Sequence, residues 1–287
     1  METKKIKVAM SGLPGKVAYP IAEAVAASSD MELLPYAFTG AEIEDQEIII
    51  SGQTIRLVRP NERVMLLSYD FGFYEAPDIV IDFTAPEAVE KNVDFYAVNS
   101  FPFVMGTTFG KLTHLPGYIR SKVSRSLLNA VVAPNMAKDV VLVQAMFEWA
   151  AQNFPGALKE FSAKSVESHQ KTKPDTSGTA KAIIKSLQDL GVHCSVEDIE
   201  KIRKEETYEA MGIPKEHWGG HGWHTYSLTK IGGDVFLSFT HNINGRQPYV
   251  DGTLDAVRFL HGKMNPAKRN LGNIFSMIDI LREGYAE

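Results

Sequence analysis

The pattern of apolar and polar positions divides the chain into two parts. In the first part, short apolar runs predict strands at Ile6–Met10 and Met31–Phe38, with an Ala-rich helix at Pro20–Ser28 between them. Further strands are predicted at 78–83, 101–105 and 129–133, further helices at 87–98 and 139–153, and a small inserted hairpin at 47–58 that turns at Ser51-Gly52. Because strands alternate with helices, this part is predicted to form βαβ units and a parallel sheet.

A different pattern follows Phe154-Pro155-Gly156. The segments 158–166, 225–229 and 235–241 alternate between apolar and polar residues, which is typical of antiparallel strands with one solvated face. Helices are predicted near 179–190, 196–210, 251–262 and 271–283, and the charged run Lys201–Glu206 is predicted to lie on a solvated helix face. The change of pattern predicts two domains with a boundary near 135–155, and the last helices are expected to return to the first domain.

Composition narrows the class of protein. A chain of 287 residues with 44% hydrophobic content can bury a substantial core, and its formal net charge of −5 argues against a nucleic-acid partner. The single cysteine, Cys194, excludes an internal disulfide and a cysteine-based zinc site, and suits a reducing compartment. Neither a secretory signal nor a membrane span is expected. We therefore expect a soluble cytoplasmic protein, or a plastid protein if a transit peptide has been removed.

A glycine-containing loop follows the first predicted strand. Gly12, Gly15 and Ala18 have the spacing Gly-x-x-Gly-x-x-Ala at a strand-to-helix turn. Glycines there let backbone N–H groups approach a phosphate, and the N-terminus of the next helix favours the anion. The alternative is that the glycines serve helix packing alone. The position after the first strand of an alternating chain favours a dinucleotide site.

The end of the second strand bears on the choice of cofactor. An acidic residue there usually binds the ribose hydroxyls of NAD and repels the 2′-phosphate of NADP. Phe38-Thr39-Gly40 occupies this position instead, and Lys16 adds a cation to the glycine loop. The sequence therefore favours NADPH over NADH, unless Lys16 is an ordinary solvated lysine.

Two other strand ends carry residues suited to the same cleft. Gly106-Thr107-Thr108 follows the strand at 101–105, and Ala133-Pro134-Asn135-Met136 ends the strand at 129–133. Ligands of open α/β sheets bind at the carboxyl ends of the strands, which predicts a shared cofactor cleft. These residue types also end strands as ordinary turn residues, so each stretch alone is ambiguous.

The stretch VESHQKTKPDTSGTA, 166–180, concentrates polar chemistry just before a predicted helix. Ser177 and Thr179 are plausible N-caps, and the unpaired N–H groups at such a helix start form an anion site. Lys173 can add a positive charge, and His169 can donate a proton near neutral pH. A lone His or Lys is more often structural. This grouping, after a nucleotide-binding half, favours a site that binds and protonates an acidic substrate.

The motif E-S-H-Q-x-x-K-x-D-x-S-G-T-A resembles the signature of the dihydrodipicolinate reductase (4-hydroxy-tetrahydrodipicolinate reductase) family. The resemblance extends over the whole chain, because IDFTAPE (81–87), GTT (106–108), APNMA (133–137) and HNINGR (241–246) occur in the family's order. It implies an α/β protein with a Rossmann-like parallel-sheet nucleotide domain at 1–136, to which 250–287 return. It also implies an α+β substrate-binding and oligomerisation domain at 137–249, with a mostly antiparallel sheet.

The resemblance further implies a homo-oligomer, either a dimer or a tetramer, that reduces a small cyclic unsaturated dicarboxylate with NADPH or NADH in lysine and diaminopimelate biosynthesis. By the same resemblance His169 is the general acid and Lys173 its partner in charge and substrate binding. The implied substrate-binding residues are Gln170, Ser177, Gly178, Thr179 and Arg246. The loop and the resemblance together predict cofactor binding by Gly12, Gly15, Lys16, Val17, Thr39, Phe83, Thr84, Gly106, Thr107, Thr108, Ala133, Asn135 and Met136.

The sequence departs from the common bacterial pattern at three places. Gln170 stands where a second His is usual, Ala18 replaces the third glycine, and no Pro separates Thr176 from Ser177. These features are similar to the plant-type branch of the family. Gln170 cannot donate a proton near neutral pH, so His169 is expected to act without an ionisable neighbour at that position.

The segment HWGGHGWH, 217–224, invites a metal interpretation. His217, His221 and His224 would share one helix face, but the three glycines between them make a helix improbable, and no Cys or acidic cluster joins them. Aromatic packing around a Gly-rich turn explains the segment better, and no metal site is expected. By the resemblance, the segment leads into a strand of the substrate domain.

Two other functions stay open at this stage. One is another two-domain NAD(P)-dependent dehydrogenase of a small polar substrate, such as a sugar or an amino acid. The other is a nucleotide-sensing homologue that has lost turnover. The grouping of His169, Lys173 and the Ser-Gly-Thr helix start favours a polycarboxylate over a sugar, and the intact His169, Lys173 and Arg246 argue against loss of catalysis.

Overall fold

The chain divides into two compact units. The computed structural model describes residues 4–63, 75–107, 109, 112–264 and 271–284. The first unit is formed by Met1–Met136 together with Tyr249–Glu287, and the second by Ala137–Pro248. Each unit has its own sheet, of eight strands in the first and four in the second. None of the described helices is long and apolar enough to cross a lipid bilayer.

The N-terminal part of the first unit alternates strands with helices. Its strands are β1 (Ile6–Ser11), β2 (Met31–Phe38), β3 (Glu47–Ile50), β4 (Gln53–Val58), β5 (Ile79–Asp82), β6 (Phe103–Met105) and β7 (Ala130–Val132). Its helices are α1 (Ala18–Ala27), α2 (Val89–Val98), entered through a 3-10 turn at Pro86–Ala88, and α3 (Leu115–Ser126). The predicted hairpin is confirmed, since β3 pairs antiparallel with β4 around Ser51-Gly52.

The second unit is an α+β structure. Its elements are α4 (Lys138–Asn153), β8 (Phe161–His169), α5 (Gly178–Asp189), β9 (Glu200–Ile202), α6 (Glu205–Ala210), β10 (His221–Lys230) and β11 (Phe236–Asn244). The strand order is β11-β10-β8-β9, antiparallel except for the parallel pair of β8 and β9. The helix-facing side of this sheet is covered by apolar residues of α5, including Ile183, Ile184 and Leu187.

The C-terminal segment completes the first sheet. After α7 (Gln247–Lys263), β12 (Ile274–Phe275) pairs parallel with β7, and α8 (Met277–Gly284) follows. The strand order is then β12-β7-β6-β5-β1-β2-β4-β3, and every neighbouring pair except that of β3 and β4 is parallel. The order reverses between β1 and β5, which is where a doubly wound sheet opens a ligand crevice at the carboxyl ends of its strands.

The predicted fold class is confirmed, and five local features differ from the prediction. The helix predicted at 271–283 is shorter, because β12 occupies Ile274–Phe275 and α8 begins at Met277. Residues 196–210 do not form one helix, because β9 interrupts them. Lys201–Glu206 is not a solvated helix face, because Lys201 and Ile202 belong to β9, and the side chain of Arg203, which follows the strand, is only 16% exposed. Strand β10 begins at His221, so HGWH is strand rather than turn. Helix α3 was not predicted, although its buried Leu115, Ile119 and Val123 recur at helical spacing.

Candidate cofactor and substrate sites

Both glycines of the loop after β1 are required by its shape. Gly12 has a φ of +109°, and a Cβ there would lie 2.7 Å from the carbonyl oxygen of Phe83. The Gly12 N–H donates to the Phe38 carbonyl at 2.9 Å, which ties the loop to the end of β2. A Cβ on Gly15 would lie 2.6 Å from the carbonyl oxygen of Gly12. The loop therefore presents bare backbone at the N-terminal end of α1.

A cavity of about 610 Å³ opens beside this loop at the carboxyl ends of β1, β2 and β5. Val17, another predicted cofactor residue, is exposed and directly precedes α1. Sequence reasoning missed four charged residues of the cavity wall, Glu42, Arg63, Glu87 and Lys91. Glycine backbone, a helix N-terminus and nearby cations are groups that fit the phosphates and riboses of a dinucleotide. The predicted cofactor residues that line the cavity are Gly12, Gly15, Lys16, Thr39, Phe83 and Thr84.

Hydrogen bonds of Thr39 hold the glycine loop in place. Its hydroxyl donates to the Leu13 carbonyl at 2.6 Å, and its N–H donates to the Val58 carbonyl at 3.0 Å. Its own carbonyl accepts from the Arg63 guanidinium at 3.4 Å. The Thr39 side chain thus stabilises the cavity wall, and its hydroxyl proton is committed to Leu13.

A buried carboxylate organises the end of β5. Asp82 is fully buried and accepts hydrogen bonds from the Thr84 N–H and hydroxyl at 2.9 and 2.7 Å. It also accepts from Asn92 at 3.0 Å and from Tyr96 at 2.8 Å, and burial raises the pKa of Tyr96 well above its usual value. The Arg63 guanidinium donates to the Asn92 side chain at 2.9 Å, so Asn92 connects the guanidinium to the Asp82 carboxylate. The network fixes the turn that bears Phe83 and Thr84.

The other predicted strand ends lie at the same edge of the sheet. A Cβ on Gly106 would lie 2.2 Å from the ring of Phe83, so glycine is required for this contact. The Thr107 hydroxyl donates to the Thr84 carbonyl at 2.9 Å, and the Ala133 N–H donates to the Met105 carbonyl at 3.0 Å. Asn135 and Met136 follow β7, with Met136 buried. Thr108 lies outside the described residues.

In the second unit, both ring nitrogens of His169 have partners. His169 ends β8, and its Nδ1 lies 3.0 Å from the His221 carbonyl oxygen. Its Nε2 lies 3.1 Å from Nε2 of His224 on β10. Gly222 sits against the ring, because a Cβ there would lie 3.0 Å from Cε1 of His169. His221 and His224 of the HWGGHGWH segment therefore belong to this site, which sequence reasoning missed.

An ion pair supports the loop that follows His169. Arg203 at the end of β9 donates to the Oε1 of Glu167, which is fully buried on β8. The Arg203 Nε also donates to the Lys173 carbonyl at 2.9 Å. Lys173 in turn pairs with Asp175 at 2.9 Å and donates its N–H to the Gln170 carbonyl at 2.9 Å. The loop from Gln170 to Asp175 is therefore held to the sheet by Arg203.

The helix start after this loop departs from the prediction in one respect. Ser177 is the N-cap of α5, but its side chain makes no capping hydrogen bond. Its N–H donates to Oε2 of Glu167 at 3.0 Å, so Glu167 takes up a donor that we expected to face the substrate. Gly178 begins the helix, and Thr179 lies in its first turn.

The site is electropositive. Burial lowers the pKa of His169 to about 3, and the charges of Lys173 and Arg203 act in the same direction. Burial likewise lowers the pKa of His224 to about 2. Arg246, the remaining predicted substrate residue, lies with its guanidinium beside Gly220, two positions before the glycine that contacts His169. Neutral histidines near cations suit an anionic ligand, because the negative charge of the ligand raises the pKa of the histidines and favours their protonated form.

Three side chains of metal-binding type converge here. Among the described residues, Glu167, His169 and His224 place their ligand atoms within 4.8 Å of one another. Both carboxylate oxygens of Glu167 already accept hydrogen bonds, from Arg203 and from the Ser177 N–H. The trio is thus a hydrogen-bonded cluster whose carboxylate is paired with a cation.

The fold and the two sites define a class: a Rossmann-like nucleotide-binding domain joined to an α+β domain that carries a cluster of histidines near cationic side chains. Two family models match the chain, those of the dihydrodipicolinate reductase N-terminus at residues 6–136 and C-terminus at residues 139–281. The chain belongs to the dihydrodipicolinate reductase family.

Relatives and solved structures agree with this assignment. The chain is 39% identical over 281 residues to 4-hydroxy-tetrahydrodipicolinate reductase 2, chloroplastic, of Arabidopsis thaliana, covering 97% of this chain and 78% of that protein. It is 25% identical over 288 residues to the reductase of the bacterium Herminiimonas arsenicoxydans, covering 96% and 98%. Dipicolinate-bound dihydrodipicolinate reductase from Paenisporosarcina sp. TG-14 has the same fold, with a TM-score of 0.61, 18% identity and coverage of 95% and 97%.

Proposed function

We propose that this protein reduces 4-hydroxy-tetrahydrodipicolinate to tetrahydrodipicolinate with NADPH or NADH, a step of lysine and diaminopimelate biosynthesis. The observation that carries the proposal is the loop between β8 and α5. Together with the half-buried His169 that precedes it, this loop combines the Lys173 ammonium and a helix N-terminus. Family membership supplies the substrate class, because relatives of this chain bear the name of that reductase.

Different residues of the second unit bind the substrate and supply the proton. We assign Lys173, Arg246 and the first N–H groups of α5 to the two carboxylates of the substrate, with Gln170 beside them. The negative charge of the substrate raises the pKa of His169 from its lowered value, so the imidazole takes up a proton that it can give to the reduced product. The dinucleotide, held by the cavity of the first unit, supplies the hydride.

A coupled assay tests this proposal. A synthase generates the unstable substrate from pyruvate and aspartate semialdehyde, and nicotinamide absorbance is followed. Oxidation that requires the synthase, both precursors and this protein supports the activity. His169→Ala and Lys173→Ala should each lower kcat by about 10²-fold or more while the Kd for the cofactor stays nearly constant. The control is Lys171→Ala, which removes the same charge from an exposed position of the same loop.

Cofactor binding without turnover in that assay would favour the nucleotide-sensing alternative. Equal losses of turnover and cofactor affinity in the two site variants would contradict the assigned roles. Oxidation with a sugar or an amino acid instead would favour a different dehydrogenase.

We also propose that NADPH is the preferred cofactor. Supporting this, Thr39 and Gly40 follow β2 in place of an acid, and the cavity wall contains Lys16, Arg63 and Lys91. Glu42 acts in the opposite direction, because a carboxylate beside Gly40 can accept hydrogen bonds from ribose hydroxyls. The ratio of kcat/KM for the two cofactors in the coupled assay decides the preference.

Self-association is a further part of the proposal. Large apolar side chains of the second unit are exposed, among them Met146 at 62%, Trp149 at 58% and Phe236 at 63%. Met146 and Trp149 lie on α4, and Phe236 lies on the edge strand β11. Exposed apolar side chains of this kind are typical of an interface, which supports a dimer or a tetramer. Sedimentation equilibrium would distinguish these states from a monomer. We expect a reducing compartment, the cytoplasm or a plastid, and plant relatives are named chloroplastic.

A further inference from the structure

A chain of hydrogen bonds runs along the helix-facing side of the second sheet and ends at His169. The Tyr226 hydroxyl lies 3.1 Å from Nδ1 of His224. Nε2 of His224 lies 3.1 Å from Nε2 of His169. Nδ1 of His169 lies 3.0 Å from the carbonyl oxygen of His221. All four residues belong to β8 or β10, so the sheet itself sets this geometry.

Elementary hydrogen-bond rules fix the position of every proton in this chain. The His221 carbonyl oxygen only accepts, so Nδ1 of His169 carries hydrogen and Nε2 of the neutral ring is an acceptor. Nε2 of His224 must then carry hydrogen, which leaves Nδ1 of His224 to accept from Tyr226. Every contact is satisfied with both rings neutral, in agreement with their lowered pKa values. In this state His169 has no proton to release from Nε2.

We propose that His224 is a positioning residue that holds His169 in its Nδ1–H tautomer and shares with it the one proton used in the reaction. This inference rests on the proposed function. When a dianionic substrate arrives, a proton from solvent binds Nδ1 of His224 while the Tyr226 hydroxyl turns to accept from it, and the proton between the rings moves from Nε2 of His224 to Nε2 of His169. The N–H bond at Nε2 of His169 then breaks and its proton passes to the reduced product. His224 exchanges its Nδ1 proton through solvent for one on Nε2, which restores the neutral chain. The acid is thus the protonated pair rather than one imidazole.

The surroundings of His224 permit only one proton in addition to the two that the neutral rings of His169 and His224 carry. The ring of His241 on β11 stacks on His224 with centroids 4.6 Å apart. Lys173 and Arg203 place positive charge nearby and oppose a second proton. Glu167, on the neighbouring strand, is neutralised by Arg203. The groups that face His224 are Glu167, His169, Lys173, Arg203, Tyr226 and His241.

The tautomers can be measured directly in the ligand-free full chain. Histidine ring 15N chemical shifts at pH 7.5, assigned with single His→Gln variants, should show hydrogen on Nδ1 of His169 and on Nε2 of His224. The opposite tautomer at either ring would overturn the proposal. This readout does not depend on turnover, so it stays informative if the coupled assay shows no activity.

Two substitutions at one position separate proton sharing from packing. His224→Leu removes every acceptor for a His169 Nε2–H, so kcat should fall at least about tenfold near pH 8. The loss of one charge-assisted hydrogen bond should lower the pKa of the protonated His169 by about one unit. The alkaline limb of the pH profile of kcat should therefore move to lower pH by about one unit. His224→Gln supplies a carbonyl oxygen that accepts from that N–H, so the limb should stay near its wild-type position.

The matched control is His241→Phe, which preserves a stacked ring beside His224 and should leave the kcat profile unchanged. Equal losses of kcat at all pH values in both His224 variants, with an unmoved limb, would overturn the proposal and assign His224 to packing. Circular dichroism establishes that each variant is folded. If His224→Leu does not fold, the comparison of His224→Gln with wild type and the 15N shifts still decide the question. An inactive wild-type protein would instead contradict the proposed function.

Discussion

Arg203 and Glu167 form an ion pair beneath the loop that carries Lys173. Glu167 is fully buried, and the Arg203 side chain is 16% exposed. The pair joins the end of β9 to β8. Arg203 also donates to the Lys173 carbonyl, and Glu167 also accepts from the N–H of Ser177, the N-cap of α5. The position of the loop from Gln170 to Asp175 therefore depends on Arg203 and Glu167.

Replacement of Arg203 by Met should destabilise the second unit by roughly 3–5 kcal/mol, because it leaves the buried Glu167 charge without a partner. Urea unfolding followed by tryptophan fluorescence measures this effect, since Trp149, Trp218 and Trp223 all belong to the second unit. The control is Lys164→Met, which breaks the exposed pair with Glu200 and should cost less than about 1 kcal/mol. Similar losses in the two variants would refute the stabilising role of the buried pair.

Gly12→Ala should lower the affinity for the cofactor by at least about tenfold, because the new Cβ would collide with the Phe83 carbonyl at a backbone conformation that L-residues avoid. Fluorescence titration with NADPH measures the Kd. Gly117→Ala is the matched control: its Cβ meets open space within α3, and it should stabilise the protein by roughly 0.5–1 kcal/mol. An unchanged Kd for Gly12→Ala would argue that the loop does not contact the cofactor.

Glu42→Gln should raise the NADPH to NADH ratio of kcat/KM by about tenfold, because it removes a carboxylate acceptor for the ribose and its repulsion of a 2′-phosphate. The coupled assay with each cofactor gives the ratio. Glu44→Gln neutralises an exposed carboxylate outside the cavity lining and serves as the control. A ratio that responds equally to both substitutions would indicate a general charge effect rather than a contact at Gly40.

Acidification should destabilise the second unit before most carboxylates titrate. The folded-state pKa values of His169, His224 and His241 are lowered to about 3, 2 and 4 from 6.5, chiefly by burial. Their neutral forms favour the folded state, so this contribution is complete above pH 6.5 and is lost as the pH falls toward those values. Each ring should contribute a slope of about 1.4 kcal/mol per pH unit between pH 6 and 4.

His241→Phe should reduce that slope by about one ring's share. Urea unfolding at a series of pH values measures it, and the exposed His193, replaced by Gln, provides the control. A slope that stays the same in His241→Phe would contradict the lowered pKa of His241.

Periodicity predicted most strands of the first sheet because they are apolar runs, as in β5, where all four residues are buried. It did not predict α3 or the short strand β12. The glycine loop could be located because backbone geometry restricts Gly12 to one residue type. The positions of Glu42 and Arg63 in the cavity wall could not be predicted, because they depend on where the chain folds back after β2 and β4. In the sequence alone, neither residue differs from a charged residue of the protein surface.

The surroundings of the loop from Gln170 to Asp175 show the same limit of sequence analysis in the second unit. A local motif identified His169 and Lys173, since they lie within one short stretch. Arg203, 30 residues beyond Lys173, and His224, 55 residues beyond His169, reach the site only through sheet pairing. The alternation in HGWHTYSL did contain a strand signal, but the glycines of the preceding residues obscured it.

The return of the C-terminal segment has a consequence for synthesis on the ribosome. β12 pairs with β7, and the Asn273 N–H donates to the side chain of Asn129, 144 residues earlier. While the chain is being translated, the second unit emerges entire before the outer edge of the first sheet has its final partner. The second unit lies between the two segments of the nucleotide-binding unit, so a nascent chain must keep the β7 edge from other partners until β12 has left the exit tunnel.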